Sequence, residues 1–268
     1  MSSDNKVGCV RYVSFWETAS GQSMPPYIAL ALVSIKKALG DKFLLLTPQT
    51  VQDFIDPKIL NHHWGFEPLS FTLEEGIEAI IAKSDFIRMA FVYQHGGVWV
   101  DADSVFFYDP TDVLFPSGLS TKLHWLSECL FASRAGNTLL AEALNVGLAE
   151  GRHVWGNPGG IKDIVARRGE ELVPISPEVI DPGYRPLYNF SSCDVMRRRD
   201  IDVSDFRLND VAIVELYNTY FKRTAGRNES VAEFLAGGTL MAKLFLHIEP
   251  NPAYWVGEAT RLIEQCEQ

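Results

Sequence analysis

Hydrophobic positions along the first part of the chain follow a strand-like pattern, then a helix-like pattern, then a strand-like pattern again. The stretches "VGCVRYVSFW" (residues 7–16) and "KFLLLTP" (residues 42–48) each predict a strand. Between them, "PPYIALALVSIKKALG" (residues 25–40) predicts a helix that is opened by proline and closed by Gly40. A strand, a helix and a strand in this order favour parallel pairing, so we predict an α/β fold.

Shorter patterns continue the alternation. A short helical piece is predicted at "VQDFI" (residues 51–55), a loop at "NHHWGFEP" (61–68) and a helix at "LEEGIEAIIA" (73–82). Late in the chain, "VAIVELYNTYFKR" (211–223) predicts another strand. Because no repeat or low-complexity linker divides these elements, we predict one domain spanning residues 1–268.

The most informative stretch is "SDFIRMAFVYQHGGVWVDAD" (residues 84–103). Its apolar run predicts a buried helix over residues 84–95 with Ser84 as the N-cap, and Asp85 then lies near the positive end of the helix dipole. Gly96 and Gly97 predict the end of this helix. A short buried strand is predicted to follow at residues 98–100.

Charged side chains accompany both of these elements. Asp85 and Arg88 are three residues apart and are predicted to share one face of the helix. Asp101 and Asp103 follow the strand, and on an extended segment their side chains would point the same way. Ligand sites of open α/β sheets lie at such strand ends, and carboxylates suit Mg²⁺ or Mn²⁺, which commonly complete their shells with phosphate oxygens. The pattern predicts a site for a metal-bridged diphosphate.

Composition narrows the class of protein. The formal net charge of −10 argues against a nucleic-acid binder, because phosphate recognition requires concentrated positive charge. The four cysteines are scattered without a CxxC pair, which favours reduced thiols over a zinc or disulfide framework. Apolar runs such as "YIALALVSI" are too short to span a bilayer. We expect a cytoplasmic protein, with peripheral contact at the inner face of the membrane left open.

The stretch "SDFIRMAFVYQHGGVWVDADSV" resembles the signature of retaining sugar-nucleotide transferases with the GT-A fold, especially the capsular-polysaccharide-synthesis and DXD sugar-transferase families. It is also similar to the core of the glucosylating bacterial toxins. The resemblance implies a mainly parallel central sheet flanked by helices. It further implies that Asp85 and Arg88 bind the donor sugar, that Asp101 touches the sugar or the ribose, and that Asp103 holds the metal.

Two other segments extend the resemblance. In the capsular families the first strand ends in aromatic residues near the nucleotide base, which makes Phe15 and Trp16 candidate base contacts, with core packing as the alternative. The segment containing Glu215 and Asn218 is similar to a toxin segment in which a glutamate and a polar residue three positions later complete the metal shell. Related transferases have a histidine near Glu215 and this chain does not, so the third ligand stays open, as does a solvated strand end.

The resemblance implies a metal-dependent hexosyltransferase. Its expected cofactor is Mn²⁺ or Mg²⁺, its donor a UDP-hexose, its outcome retention of configuration, and its acceptor a lipid-linked or growing saccharide of capsule or lipopolysaccharide. Two alternatives remain from the residues. "VWVDADSV" also fits a haloacid-dehalogenase-type phosphatase in which Asp101 is phosphorylated and Asp103 acts as acid and base. The second alternative is a sugar-nucleotide-binding module without turnover.

Overall fold

The structure is a computed structural model that describes residues 10–55, 77–150, 160–177, 195–206, 211–216 and 229–267. Its strands are β1 (Tyr12–Phe15), β2 (Phe43–Leu46), β3 (Gly97–Val100), β4 (Ser104–Phe106), β5 (Leu123–Ser127), β6 (Leu130–Ser133), β7 (Leu172–Pro174) and β8 (Ile213–Glu215). Its α-helices are α1 (Pro26–Leu39), α2 (Val51–Phe54), α3 (Ile77–His95), α4 (Thr111–Leu114), α5 (Thr138–Glu150), α6 (Ile161–Arg167), α7 (Val231–Ala236), α8 (Leu240–Ile248) and α9 (Pro252–Glu267). In the described ranges no helix is both long and apolar enough to cross a membrane.

The chain divides into two compact units, each assembled from three chain segments. Unit 1 comprises Met1–Ser20, Leu44–Asp101 and Thr111–Ile175, and unit 2 comprises Gly21–Phe43, Ala102–Pro110 and Ser176–Gln268. Neither unit is a continuous stretch of sequence. The prediction of one domain over residues 1–268 stays a prediction.

Unit 1 is built on a six-stranded sheet with the order β2-β1-β3-β6-β5-β7. Strand β3 pairs in parallel with β1 and antiparallel with β6, while β5 pairs antiparallel with β6 and in parallel with β7. Strands β1, β3, β5 and β7 therefore run in one direction and β6 runs in the other. Helix α3 packs against β1, β3 and β6, with α5 beside it. The predicted α/β class with a mainly parallel sheet and flanking helices is confirmed, and the arrangement is consistent with a GT-A-like fold.

Helix α1 begins and ends where its sequence predicts. Pro26 is its first residue, a position where a missing backbone N–H breaks no hydrogen bond. Gly40 follows its last residue with a φ of 54° and donates its N–H to the carbonyl of Lys36. That backbone conformation favours glycine, which explains why the helix stops there.

Helix α3 corrects one prediction. The two helical patterns on either side of Ser84 form a single helix, Ile77–His95, so the prediction of Ser84 as an N-cap is wrong. No glycine or proline interrupts that range, and one serine inside a helix costs too little to break it. Asp85 consequently lies well inside the helix, beyond the first turn, where the helix dipole has little effect.

The glycine pair after α3 turns the chain into the centre of the sheet. Gly96 and Gly97 have φ values of 69° and 113°. A Cβ atom on Gly97 would lie 2.7 Å from the carbonyl oxygen of Arg11, and one on Gly96 would lie 2.8 Å from the backbone nitrogen of Ala135. Both positions therefore require glycine, and the helix ends before this pair, as the sequence predicts. Strand β3 then lies between β1 and β6, with its four residues buried.

Unit 2 contains a separate two-stranded sheet in which β4 and β8 pair antiparallel. Helix α1 packs against β4 and against α9. The buried hydroxyl of Ser34 on α1 accepts a hydrogen bond of 3.0 Å from the backbone N–H of Phe106 and donates one of 2.6 Å to the carbonyl of Ala31. Strand β4 is thus fixed by a helix as well as by β8.

Candidate donor and metal site

The end of β3 carries the first aspartate of the DxD motif. The backbone N–H of Asp101 donates to the carbonyl of Cys129 at 3.0 Å, which attaches it to the turn between β5 and β6. The indole N–H of Trp99 donates to Asp101 Oδ1 at 2.6 Å, because residues two apart at a strand end project to the same side. Both contacts hold the Asp101 carboxylate in a defined position.

Arg88 links this aspartate to helix α3. Its guanidinium forms an ion pair with Asp85, lies 3.4 Å from Asp101 Oδ1 through Nη1, and donates through Nη1 to the carbonyl of Glu128 at 2.7 Å. The residue is 7% exposed. Burial is the largest single influence and acts to lower the Arg88 pKa, but the nearby acidic groups, Asp101 and Asp85 foremost, together raise the pKa above its ordinary value. The predicted shared face of Asp85 and Arg88 is confirmed as an ion pair.

The Nε–H group of Arg88 makes no hydrogen bond to the described residues. The guanidinium lies over the ring of Trp99, 5.6 Å from its centroid. Among the described residues, Arg88 Nε is buried and has no hydrogen-bond partner. A buried N–H without a partner costs about 1–3 kcal/mol.

The second aspartate of the motif lies in a different setting. Strand β3 ends at Val100 and β4 begins at Ser104, with a turn at residues 102 and 103. The premise that Asp101 and Asp103 lie on one extended segment is therefore wrong. Because the chain turns between them, Asp101 follows strand β3 of the large sheet in unit 1, whereas Asp103 precedes strand β4 of the small sheet in unit 2.

Asp103 lies beside Glu215 within unit 2. The backbone N–H of Leu216 donates to the carbonyl of Asp103 at 2.9 Å, which extends the β4–β8 ladder to the motif. Carboxylate oxygens of Asp103 and Glu215 lie within 4.8 Å of one another, and the residues are 8% and 7% exposed. The hydroxyl of Ser104 donates to Glu215 Oε2 at 2.8 Å. Glu215 is at the end of its strand, as predicted, but it is buried there.

The donor set fits a hard divalent cation. Two buried carboxylates at this separation repel each other unless a positive charge or a proton lies between them. Carboxylate oxygens are the ligands that Mg²⁺ and Mn²⁺ prefer. Asn218, the other predicted ligand, lies outside the described residues.

The two predicted aromatic contacts occupy different environments. Phe15 belongs to the hydrophobic core of unit 1, together with Trp99 and Phe131. Trp16 is partly exposed, and its indole N–H donates to the Thr18 hydroxyl at 3.0 Å. Base contact by either residue stays a prediction, and Trp16 is more exposed than Phe15.

Sequence reasoning missed three parts of the site. These are the indole donor of Trp99, the carbonyl of Glu128 and the hydroxyl of Ser104. The alternation of Trp99 with Asp101 along one strand was a visible signal for the first. The other two depend on strand pairing between distant segments, and the local sequence carries no sign of it.

Comparison with known proteins agrees with the geometry. Residues 26–118 match a family model described as glycosyltransferase sugar-binding region containing DXD motif. The matched range includes α1, α3, β3 and β4, and with them the Asp85–Arg88 pair and both aspartates of the motif. Among curated proteins, no sequence matches this chain. The match supports glycosyltransferase activity of the DXD type, and this chain is similar to that family over residues 26–118.

Proposed function

We propose that the protein is a metal-dependent glycosyltransferase that moves a hexose from a UDP-linked donor to a saccharide hydroxyl with retention of configuration. The observation that carries the proposal is the pairing of β4 with β8, which joins Glu215 to Asp103 of the DxD motif. The family match over residues 26–118 supports glycosyltransferase activity.

Two carboxylates of unit 2 hold the cation in this proposal. Asp103 and Glu215 supply adjacent buried oxygens. A divalent ion held there, Mn²⁺ or Mg²⁺, stabilises the negative charge that develops on the leaving diphosphate. The carboxylates hold the positive charge of the cation in place before the reaction begins. Electrostatic stabilisation of a transition state is largest when the stabilising groups are positioned in advance.

The arginine and its partners take the donor sugar. Asp85 accepts hydrogen bonds from sugar hydroxyls, Asp101 contacts the sugar or the ribose, and Arg88 contacts the donor and fixes both carboxylates by ion pairs. Because these groups are already held by one another, little ordering is needed when the donor binds. Phe15 and Trp16 complete the proposal as contacts to the nucleotide base, and Asn218 as a further ligand of the cation.

The acceptor is proposed to be a lipid-linked or growing saccharide of capsule or lipopolysaccharide, handled at the inner face of the membrane. This part of the proposal is supported by the resemblance of residues 84–105 to capsular transferases. The family match covers the DxD motif itself, and so favours sugar transfer over the phosphatase alternative in which Asp101 is the nucleophile.

Ligand-induced stabilisation tests the donor class directly. We expect UDP-hexoses to raise the melting temperature with Mn²⁺ and to do so much less without it, because a ligand at 100 times its Kd adds about 2.7 kcal/mol of stability. GDP- and dTDP-sugars serve as matched controls, and release of UDP on addition of saccharide acceptors measures turnover. Binding of the donor without release of UDP in the presence of any acceptor would favour a silent binding module, and phosphate release from p-nitrophenyl phosphate would favour the phosphatase.

The substitution Asp85→Asn is expected to weaken use of the intact donor much more than binding of free UDP. The amide keeps the size of the side chain but loses the charge that accepts strong hydrogen bonds from sugar hydroxyls and pairs with Arg88. Glu142→Gln is the control, since Glu142 is also a carboxylate of a unit 1 helix paired with arginines, Arg167 and Arg168. Calorimetry with UDP and with UDP-sugar measures both affinities. Equal losses for the two ligands would remove Asp85 from the sugar site.

A further inference from the structure

We propose that Ser104 is a positioning residue whose hydroxyl orients Glu215 for the divalent cation. The inference rests on the proposed function, because it assigns a partner to one of the proposed metal ligands. It concerns a residue that follows the DxD motif immediately and that no sequence argument singled out.

The geometry places the two residues directly opposite each other. Ser104 and Glu215 are register partners in the antiparallel β4–β8 pair. Side chains of directly opposed residues lie on the same face of a sheet with Cβ atoms about 5 Å apart. Ser104 Oγ donates to Glu215 Oε2 at 2.8 Å, within the range of a good O–H···O bond.

Backbone hydrogen bonds fix strand β8, but they do not fix the side chain of Glu215. Hydrogen bonds from Leu216 to Asp103 and from Phe107 to Ala212, both 2.9 Å, close the ladder on either side of the pair. A glutamate side chain retains several rotatable bonds beyond this backbone, and ordering it has an entropic cost. The Ser104 hydroxyl removes much of that freedom by holding one carboxylate oxygen.

The burial of Ser104 indicates that its hydroxyl depends on the Glu215 carboxylate as a hydrogen-bond partner. Ser104 is 1% exposed, and its neighbours in β4, Val105 and Phe106, are completely buried. A hydroxyl in such a setting is unfavourable unless it is hydrogen-bonded. An ionised carboxylate only accepts hydrogen bonds, so the Ser104 proton must point to Glu215 in this contact. Partners of this kind keep a ligand aligned for its metal.

Mn²⁺ affinity is the readout that tests this role. The variant Ser104→Ala should bind Mn²⁺ about 10- to 100-fold more weakly than the unaltered protein, measured by electron paramagnetic resonance of free Mn²⁺ in the absence of nucleotide. Ser104→Thr keeps the hydroxyl and suits a strand, so it should restore most of the affinity.

Ser34→Ala is the matched control. It also deletes a buried serine hydroxyl that touches β4, but that hydroxyl bonds only to backbone groups of Phe106 and Ala31 in the described contacts. We expect it to lower the melting temperature while leaving the Mn²⁺ dissociation constant unchanged. If the role of Ser104 were purely structural, Ser104→Ala would likewise lower the melting temperature and leave the Mn²⁺ dissociation constant unchanged.

The outcomes separate the inference from the function on which it rests. If the unaltered protein binds no Mn²⁺, the proposed metal-dependent function fails. If it binds Mn²⁺ and Ser104→Ala binds equally well, only the role of Ser104 is overturned. Should Ser104→Ala not fold, Ser104→Cys replaces it, since a thiol fills similar space but is a weak donor. Unchanged Mn²⁺ affinity in that variant would overturn the proposal in the same way.

Discussion

Replacing Asp103 with alanine is expected to lower turnover by about a hundredfold or more while the fold survives. The proposed cation stabilises charge that grows on the leaving diphosphate, so loss of a ligand weakens an interaction made mainly in the transition state. The size follows from the loss of one electrostatic stabiliser, which typically costs about 10²–10³ in kcat. Initial rates of UDP release at saturating donor and Mn²⁺ measure the effect.

Two further measurements make the Asp103→Ala prediction specific: the effect of Mn²⁺ on nucleotide affinity and the melting temperature of the protein without ligand. Mn²⁺ should no longer tighten nucleotide binding in this variant. Its melting temperature without ligand should change little, because removing one of two adjacent buried carboxylates relieves their repulsion. Asp109→Ala is the control, since Asp109 lies in the same short segment of unit 2 but pairs with Lys42 at 2.6 Å. A variant at position 103 that keeps Mn²⁺-dependent transfer near the original rate would exclude Asp103 as a ligand.

The elements around the site could be predicted wherever local chemistry decides the backbone. Helix α1 begins at a proline and ends before a glycine, and the glycine pair at 96 and 97 occupies backbone positions that a side chain could not. Burial of residues 98–100 follows from an unbroken apolar run between that pair and two aspartates. Each of these features depends on residues adjacent in sequence.

Other features depend on competition between overlapping helix signals or on pairing between distant strands, and they could not be predicted from local patterns. Ser84 is a good N-cap in isolation, but the helix-forming residues before it extend the helix past that position. The contact of Ser104 with Glu215 joins residues 111 positions apart, and their register is set by strand pairing rather than by the sequence near either one. The same holds for the turn that supplies the carbonyls of Glu128 and Cys129.

The different settings of the two DxD aspartates clarify how one short motif can serve two roles. Asp101 is held by Trp99 and by Arg88, so part of its charge is already compensated within unit 1. Asp103 lies beside another buried carboxylate, Glu215, which favours a cation. In our proposal Asp103 is therefore the metal ligand, and Asp101, held by Arg88, contacts the sugar or the ribose of the donor.

The substitution Arg88→Met should destabilise the fold by about 3–5 kcal/mol, because removing one partner of a buried ion pair leaves an uncompensated charge. Arg88 is almost completely buried and compensates both Asp85 and Asp101, so two carboxylates lose their partner at once. Methionine fills comparable volume, which separates loss of charge from loss of packing. Urea denaturation followed by circular dichroism measures the change in the free energy of unfolding.

Arg198→Met is the matched control for this substitution. Arg198 pairs with Asp200 at 2.5 Å, but both side chains are mostly exposed, and solvent screens such pairs. We expect little change in stability from it. Arg88→Lys should fall between the two, because lysine restores the charge but cannot contact Asp85, Asp101 and the Glu128 carbonyl with one planar group. If Arg88→Met were no more destabilising than Arg198→Met, the network would not hold the two aspartates in place. The preorganised donor site proposed for unit 1 would then lose its physical basis.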